Sequence, residues 1–133
     1  MNSILSLAQK YEKDVANFLV DIVSIPSLSG QEKGVVDRIA KEMKKVGFDE
    51  VRIDGLGSVI GRIGNGPVKI AFDAHIDTVD VGTRELWNFD PHAAHIKEGK
   101  VWGRGTTDQK GGMASMVYAG KITLANAPRK LQA

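Results

Sequence analysis

The chain has 133 residues, 42% apolar and 26% charged, the balance of one ordinary globular domain with one modest core. A net charge of +2 without any Lys/Arg-rich run excludes a nucleic-acid footprint, and no segment approaches the roughly 20 apolar residues of a bilayer span, so neither nucleic acid nor membrane is an expected partner. Cysteine is absent, which excludes disulfides and thiolate metal sites; any metal would be held by His, Asp and Glu.

The first residues lack a basic stretch leading into an apolar run and do not read as a signal peptide, so a cytoplasmic protein is the expectation. From residue 4 to about 23, Ile4, Ala8, Tyr11, Val15, Phe18, Leu19 and Ile22 fall on one stripe and predict an amphipathic helix. The loop "SIPSLSGQE", residues 24–32, follows: Pro26 ends the helical pattern, and Ser29 with Glu32 fits a capping box that opens a second helix. That helix is expected to bury Val35, Val36, Ile39, Ala40, Met43 and Val46 and to stop at Gly47.

From residue 51 the period changes to two. "VRIDGLGSVIGRIG" predicts two short strands around a glycine turn, and "GPVKIAFDAHID" a turn followed by a strand over 68–77. "AHIKEGKVWGRG" predicts a hairpin turning at Glu98-Gly99, and helical spacing resumes from 108 to about 121 with Met113, Met116 and Val117. Helices before, after and around strands give an α/β class, layered helix-sheet-helix. The final stretch, "ITLANAPRKLQA", has weak periodicity and no strand to complete another β-α unit.

Two clusters have the residues for chemistry. In the predicted strand, alternation places Val68, Ile70, Phe72, Ala74 and Ile76 on one face and Asp73, His75 and Asp77 on the other. A histidine followed by a carboxylate two residues on can bind a divalent cation while the aspartate orients the ring. Taken alone, that pattern is more often a polar strand end. The second cluster is "GRGTTDQKGGM", residues 103–113, where Asp108 stands at a strand-to-helix junction. It could present a metal carboxylate at a sheet edge, but taken alone an Asp there is more commonly an N-cap. A phosphate-cradling loop is excluded, because neither G-x-x-x-x-G-K-[ST] nor G-x-G-x-x-G occurs there.

Together, "SIPSLSGQE", "AHIDTV", "LWNFDP" and "GRGTTDQKGG", in this order over residues 5 to about 121, resemble the zinc-dependent metallopeptidase and amidohydrolase family of acetylornithine deacetylase, succinyl-diaminopimelate desuccinylase, aminoacylase and related dipeptidases and carboxypeptidases. Within it, the motifs lie nearest the hydrolases associated with selenium metabolism. The resemblance implies part of the catalytic domain of a zinc-dependent exopeptidase-like fold, acting on peptide or N-acyl amino-acid amide bonds and forming a homodimer at full length. It implies zinc, two ions per site, with cobalt or manganese as substitutes. By the same resemblance His75 and Asp108 are metal ligands, Asp108 bridging the two ions; Asp77 is the catalytic aspartate that holds His75; and the Asp108-Gln109 peptide is cis.

The sequence also departs from the family. Asp80-Val81 stands where a proline is frequent, and Pro91-His92 where Pro-Phe is usual; His92 and His95 are left outside the site. After Asp108 there is no further Asp, Glu or His. A two-zinc site shares about six to eight ligand contacts, and the family takes the remainder, with its general-base glutamate, from later positions. None of Glu12, Glu32, Glu42, Glu50, Glu85 and Glu98 matches that base. The expectation is an amino-terminal portion of a metallohydrolase domain over 1–121, a tail over 122–133 unlike the family, no lid or dimerisation domain, and negligible turnover by this chain alone. A non-catalytic α/β remnant that binds a metal or a partner is the alternative.

Overall fold

A computed structural model describes residues 3–126. Helix α1 spans Ile4–Val23, α2 spans Lys33–Val46, and α3 spans Gly111–Asn126. Strands β1 (Glu50–Ile53) and β2 (Val59–Arg62) form one antiparallel hairpin, and β3 (His95–Lys97) and β4 (Lys100–Trp102) another. The α/β class is therefore what the molecule has, with its sheet divided between two hairpins.

The core lies where the three helices meet. Phe18 and Ile22 from α1, Val35, Ile39, Met43 and Val46 from α2, and Met113, Ala114, Val117 and Tyr118 from α3 form one buried cluster. Every α2 position expected to be buried is buried, and Gly47 ends that helix in the left-handed conformation, bonding back to Met43 and Lys44. In α1 the stripe holds only from its second turn onward. Ile4 and Ala8 are exposed, Leu7 is buried, and Ser3 caps the helix by accepting from the Ser6 N–H. Helix α3 continues past residue 121 to Asn126, so the first part of the expected tail is helical; residues 127–133 lie outside the described residues.

The β1–β2 turn is held by Asp54, whose Oδ1 accepts from the Leu56 and Ser58 N–H groups. The β3–β4 turn falls at Glu98-Gly99 as expected, both at positive φ (54° and 71°), the signature of a two-residue hairpin. No helix among the described residues is long and apolar enough to cross a membrane.

One expected element is missing. Residues 68–77 run without a ladder partner and form no strand. The alternation predicted a buried face, yet Val68, Ile70 and Phe72 are 82%, 79% and 77% exposed. Only Ala74 and Ile76 pack against the core. A strand needs a neighbour to satisfy its N–H and C=O groups, and among the described residues none lies beside this segment. Its far end is fixed differently: the Thr78 N–H donates to the Ser27 carbonyl at 2.8 Å, and the Ser27 hydroxyl to the Ile76 carbonyl at 2.8 Å.

Candidate functional site

The two chemical motifs meet at the end of that segment. His75 Nδ1 lies 3.1 Å from Asp77 Oδ1, and its Nε2 lies 2.9 Å from Asp108 Oδ1. Asp108 comes from the turn Thr106–Lys110, which precedes α3 and in which Asp108 and Gln109 leave helical φ/ψ; the Asp108-Gln109 peptide is cis. Gly105 brings this turn against the first motif. It sits at φ +81°, and a Cβ there would collide with the Thr78 γ-methyl, so only glycine permits the approach.

Asp108 does not act as a helix cap. The π-type turn it belongs to has Gly105 at its N-cap position and no side-chain cap bond. Its carboxylate is 84% exposed and points instead to His75. A carboxylate only accepts, so a ring nitrogen facing one donates; between Asp77 and Asp108 the imidazole carries both protons. The ring's pKa is raised accordingly, mostly by the hydrogen bond to Asp108 and further by Asp77. Asp77 is held below the usual carboxylate range, first by the Ser29 hydroxyl, which donates to its Oδ2 at 2.6 Å, and then by His75.

Beneath the turn, Lys110 is buried and donates from Nζ to the carbonyls of Ile22 (2.8 Å) and Ile25 (2.9 Å). Ile22 O belongs to the last turn of α1, where carbonyls have no helical partner. Burial lowers the Lys110 ammonium to about 8. The turn that presents Asp108 is thereby pinned to the end of the first helix.

His75 and Asp108 suit two positions around a divalent cation. Zinc bonds of roughly 2.0–2.2 Å in a tetrahedral arrangement place neighbouring donors about 3.3–3.6 Å apart. Nε2 and Oδ1, at 2.9 Å, stand a little inside that spacing with a hydrogen bond between them; His75 lines an open groove, and the Asp108 carboxylate is exposed. A third ligand does not join them: among the described residues no group of three or more His, Cys, Asp or Glu is placed to hold a metal. Asp73, expected on the same face, lines the groove but makes no hydrogen bond to His75. His95 lies in β3, its ring edge-on to Phe89 and its Nδ1 donating to the Ala93 carbonyl.

Sequence reasoning missed Ser29 and Lys110. The "SIPSLSG" stretch read as a loop plus a helix cap. The helix instead starts at Lys33, its cap residue Glu32 makes no capping bond, and Glu32 Oε1 accepts from the Gly30 N–H at 2.8 Å. The capping box is therefore not formed, and the Ser29 hydroxyl is spent on Asp77.

Residues 71–132 match the family described as Peptidase family M20/M25/M40. The Escherichia coli K12 protein carrying the description "Uncharacterized protein YgeY" is 56% identical over 119 residues, 90% of this chain and 30% of that protein. The succinyl-diaminopimelate desuccinylase of Cereibacter sphaeroides is 36% identical over 110 residues, 80% of this chain and 29% of its own length. Among solved structures, the di-peptidase Dug1p of Saccharomyces cerevisiae shares the fold at a TM-score of 0.74 and 19% identity, over 92% of this chain and 30% of that one. The chain thus has the fold of a segment of these proteins. The chain belongs to the peptidase family M20/M25/M40, whose members are generally metal-dependent, and it spans about 30% of the length of the curated relatives it matches.

Proposed function

We propose that this chain supplies the first half of a metal centre in a hydrolase of peptide or N-acyl amino-acid amide bonds, with His75 and Asp108 as metal donors and Asp77 as the residue that holds His75. The observation that carries this reading is the Asp77–His75–Asp108 relay, assembled from motifs 33 residues apart. The desuccinylase and di-peptidase names among the similar proteins support the substrate class, and the donor set of imidazole and carboxylate without thiolate supports zinc, with cobalt or manganese as substitutes. A cytoplasmic setting and a homodimeric full-length form go with it.

In this reading each residue has a definite task. His75 would hold the cation through a deprotonated Nε2, with Nδ1–H kept on Asp77 to fix the ring. Asp108 would hold it through a carboxylate oxygen next to Nε2. A bound divalent cation supplies Lewis acidity toward a carbonyl and lowers the pKa of water. Among the described residues the glutamates have other partners: Glu42 is ion-paired in the core, Glu50 is bonded to Arg62, and Glu32, which lines the same groove, holds the Gly30 N–H. For this chain taken alone, that favours the second reading, a non-catalytic metal-binding module.

Titrating the 133-residue chain with cobalt(II) tests the proposal. Weak binding that disappears in His75→Ala and in Asp108→Asn is expected, with no turnover of dipeptides or N-acyl amino acids. Identical binding by wild type and His75→Ala would contradict the metal assignment, and turnover abolished by His75→Ala would contradict the second reading.

A further inference from the structure

The loop between α1 and α2 touches both halves of the site. At its start the carbonyls of Ile22 and Ile25 receive Lys110 Nζ, which fixes the turn carrying Asp108. In its middle Ser27, fully buried, exchanges two hydrogen bonds with the segment carrying His75: its hydroxyl donates to the Ile76 carbonyl and its own carbonyl accepts from the Thr78 N–H. Two residues further on, Ser29 Oγ donates to Asp77 Oδ2. These contacts place a hydroxyl opposite the one carboxylate oxygen that His75 does not use.

We propose that Ser29 is a positioning residue of the metal site: its hydroxyl locks the Asp77 carboxylate, and Asp77 so locked keeps His75 turned with Nε2 toward Asp108. The proposal rests on the reading of His75 and Asp108 as metal donors. Its physical basis is the freedom of an unheld carboxylate. The terminal torsion of aspartate is broad and two-fold, and the Asp77 side chain is 39% exposed, so water competes for both oxygens. With Oδ1 on His75 and Oδ2 on Ser29, the plane of the carboxylate is fixed from both ends. The serine has no competing structural use, because α2 begins without it and its side chain contributes nothing to the core. Partners that orient a metal-binding histidine in this way are worth about 10- to 100-fold in metal affinity.

Two measurements on the intact chain decide the matter, using wild type, Ser29→Ala, Ser29→Thr and His75→Ala. Long-range ¹H–¹⁵N spectra at one fixed pH report the two ring nitrogens of His75 without any metal. Ser29→Ala is expected to move both resonances toward those of a solvent-exposed histidine, and Ser29→Thr, which keeps the hydroxyl, to restore them. Cobalt(II) affinity is expected to fall about tenfold in Ser29→Ala and to recover in Ser29→Thr. Ring-nitrogen shifts or cobalt affinity unchanged in Ser29→Ala would overturn the proposal. Wild type binding cobalt no better than His75→Ala overturns the metal reading instead, and the ring-nitrogen shifts then decide the hold of Ser29 on His75 by themselves.

Discussion

Glu42 is a carboxylate sealed into the helix core, and three partners explain why it survives there. Tyr118 donates its hydroxyl to Oε1 at 2.6 Å, Lys45 reaches the same oxygen at 3.0 Å, and Arg38 bonds Oε2 at 2.8 Å while also holding Asp21. Burial alone would raise this carboxyl's pKa, but the hydrogen bonds from Tyr118, Lys45 and Arg38 bring it below the ordinary glutamate value of 4.5. A depressed folded pKa means the contribution is fully present above the unfolded value and is lost as pH falls through the folded one. Glu42→Gln is therefore expected to cost about 2–3 kcal/mol at neutral pH and to flatten the loss of stability with acid; urea unfolding at a series of pH values measures both. Parallel acid profiles for wild type and variant would contradict this account. None of it was legible locally, because Glu42 occupies a charged slot in an amphipathic pattern and its phenolic partner lies 76 residues away.

At the scale of elements, what depends on near neighbours was readable and what depends on distant ones was not. The apolar spacing of α2 and the Glu98-Gly99 turn determine their own geometry, and both fall where the sequence places them. Ser29 and Glu32 have the spacing of a capping box, but Asp77 offers the serine a charged acceptor and wins it. Residues 68–77 have the alternation of a strand and lack the neighbour that would make them one. Lys110 is the clearest case of a tertiary role hidden in a short motif, since it closes the open carbonyls at the end of α1 from 88 and 85 residues away. Lys110→Met, similar in length and without donors, leaves those carbonyls unpaired and is expected to lower stability by about 2 kcal/mol. Chemical denaturation checks this. A variant as stable as wild type would show that water replaces the ammonium without loss.

For the whole molecule, the helix core and the relay are complete, whereas one flank is not covered. Val68, Ile70 and Phe72 present an alternating apolar row beside unpaired backbone groups, a combination that promotes strand-to-strand association. Sedimentation velocity is expected to show concentration-dependent self-association, reduced by placing lysine at positions 70 and 72. A monomer at every concentration would contradict it. The candidate site was legible further than the sheet was: His75, Asp77 and Asp108, singled out from two separate motifs, lie within hydrogen-bond distance of one another, while Ser29 and Lys110, which contact Asp77 and the turn of Asp108, emerge only from the folded contacts. The most direct test of the central claim is a crystal of this chain grown with zinc and measured at the zinc absorption edge. The account predicts an anomalous peak within about 2.2 Å of both His75 Nε2 and an Asp108 carboxylate oxygen. A peak elsewhere, or none with the His75–Asp108 hydrogen bond intact, would contradict it.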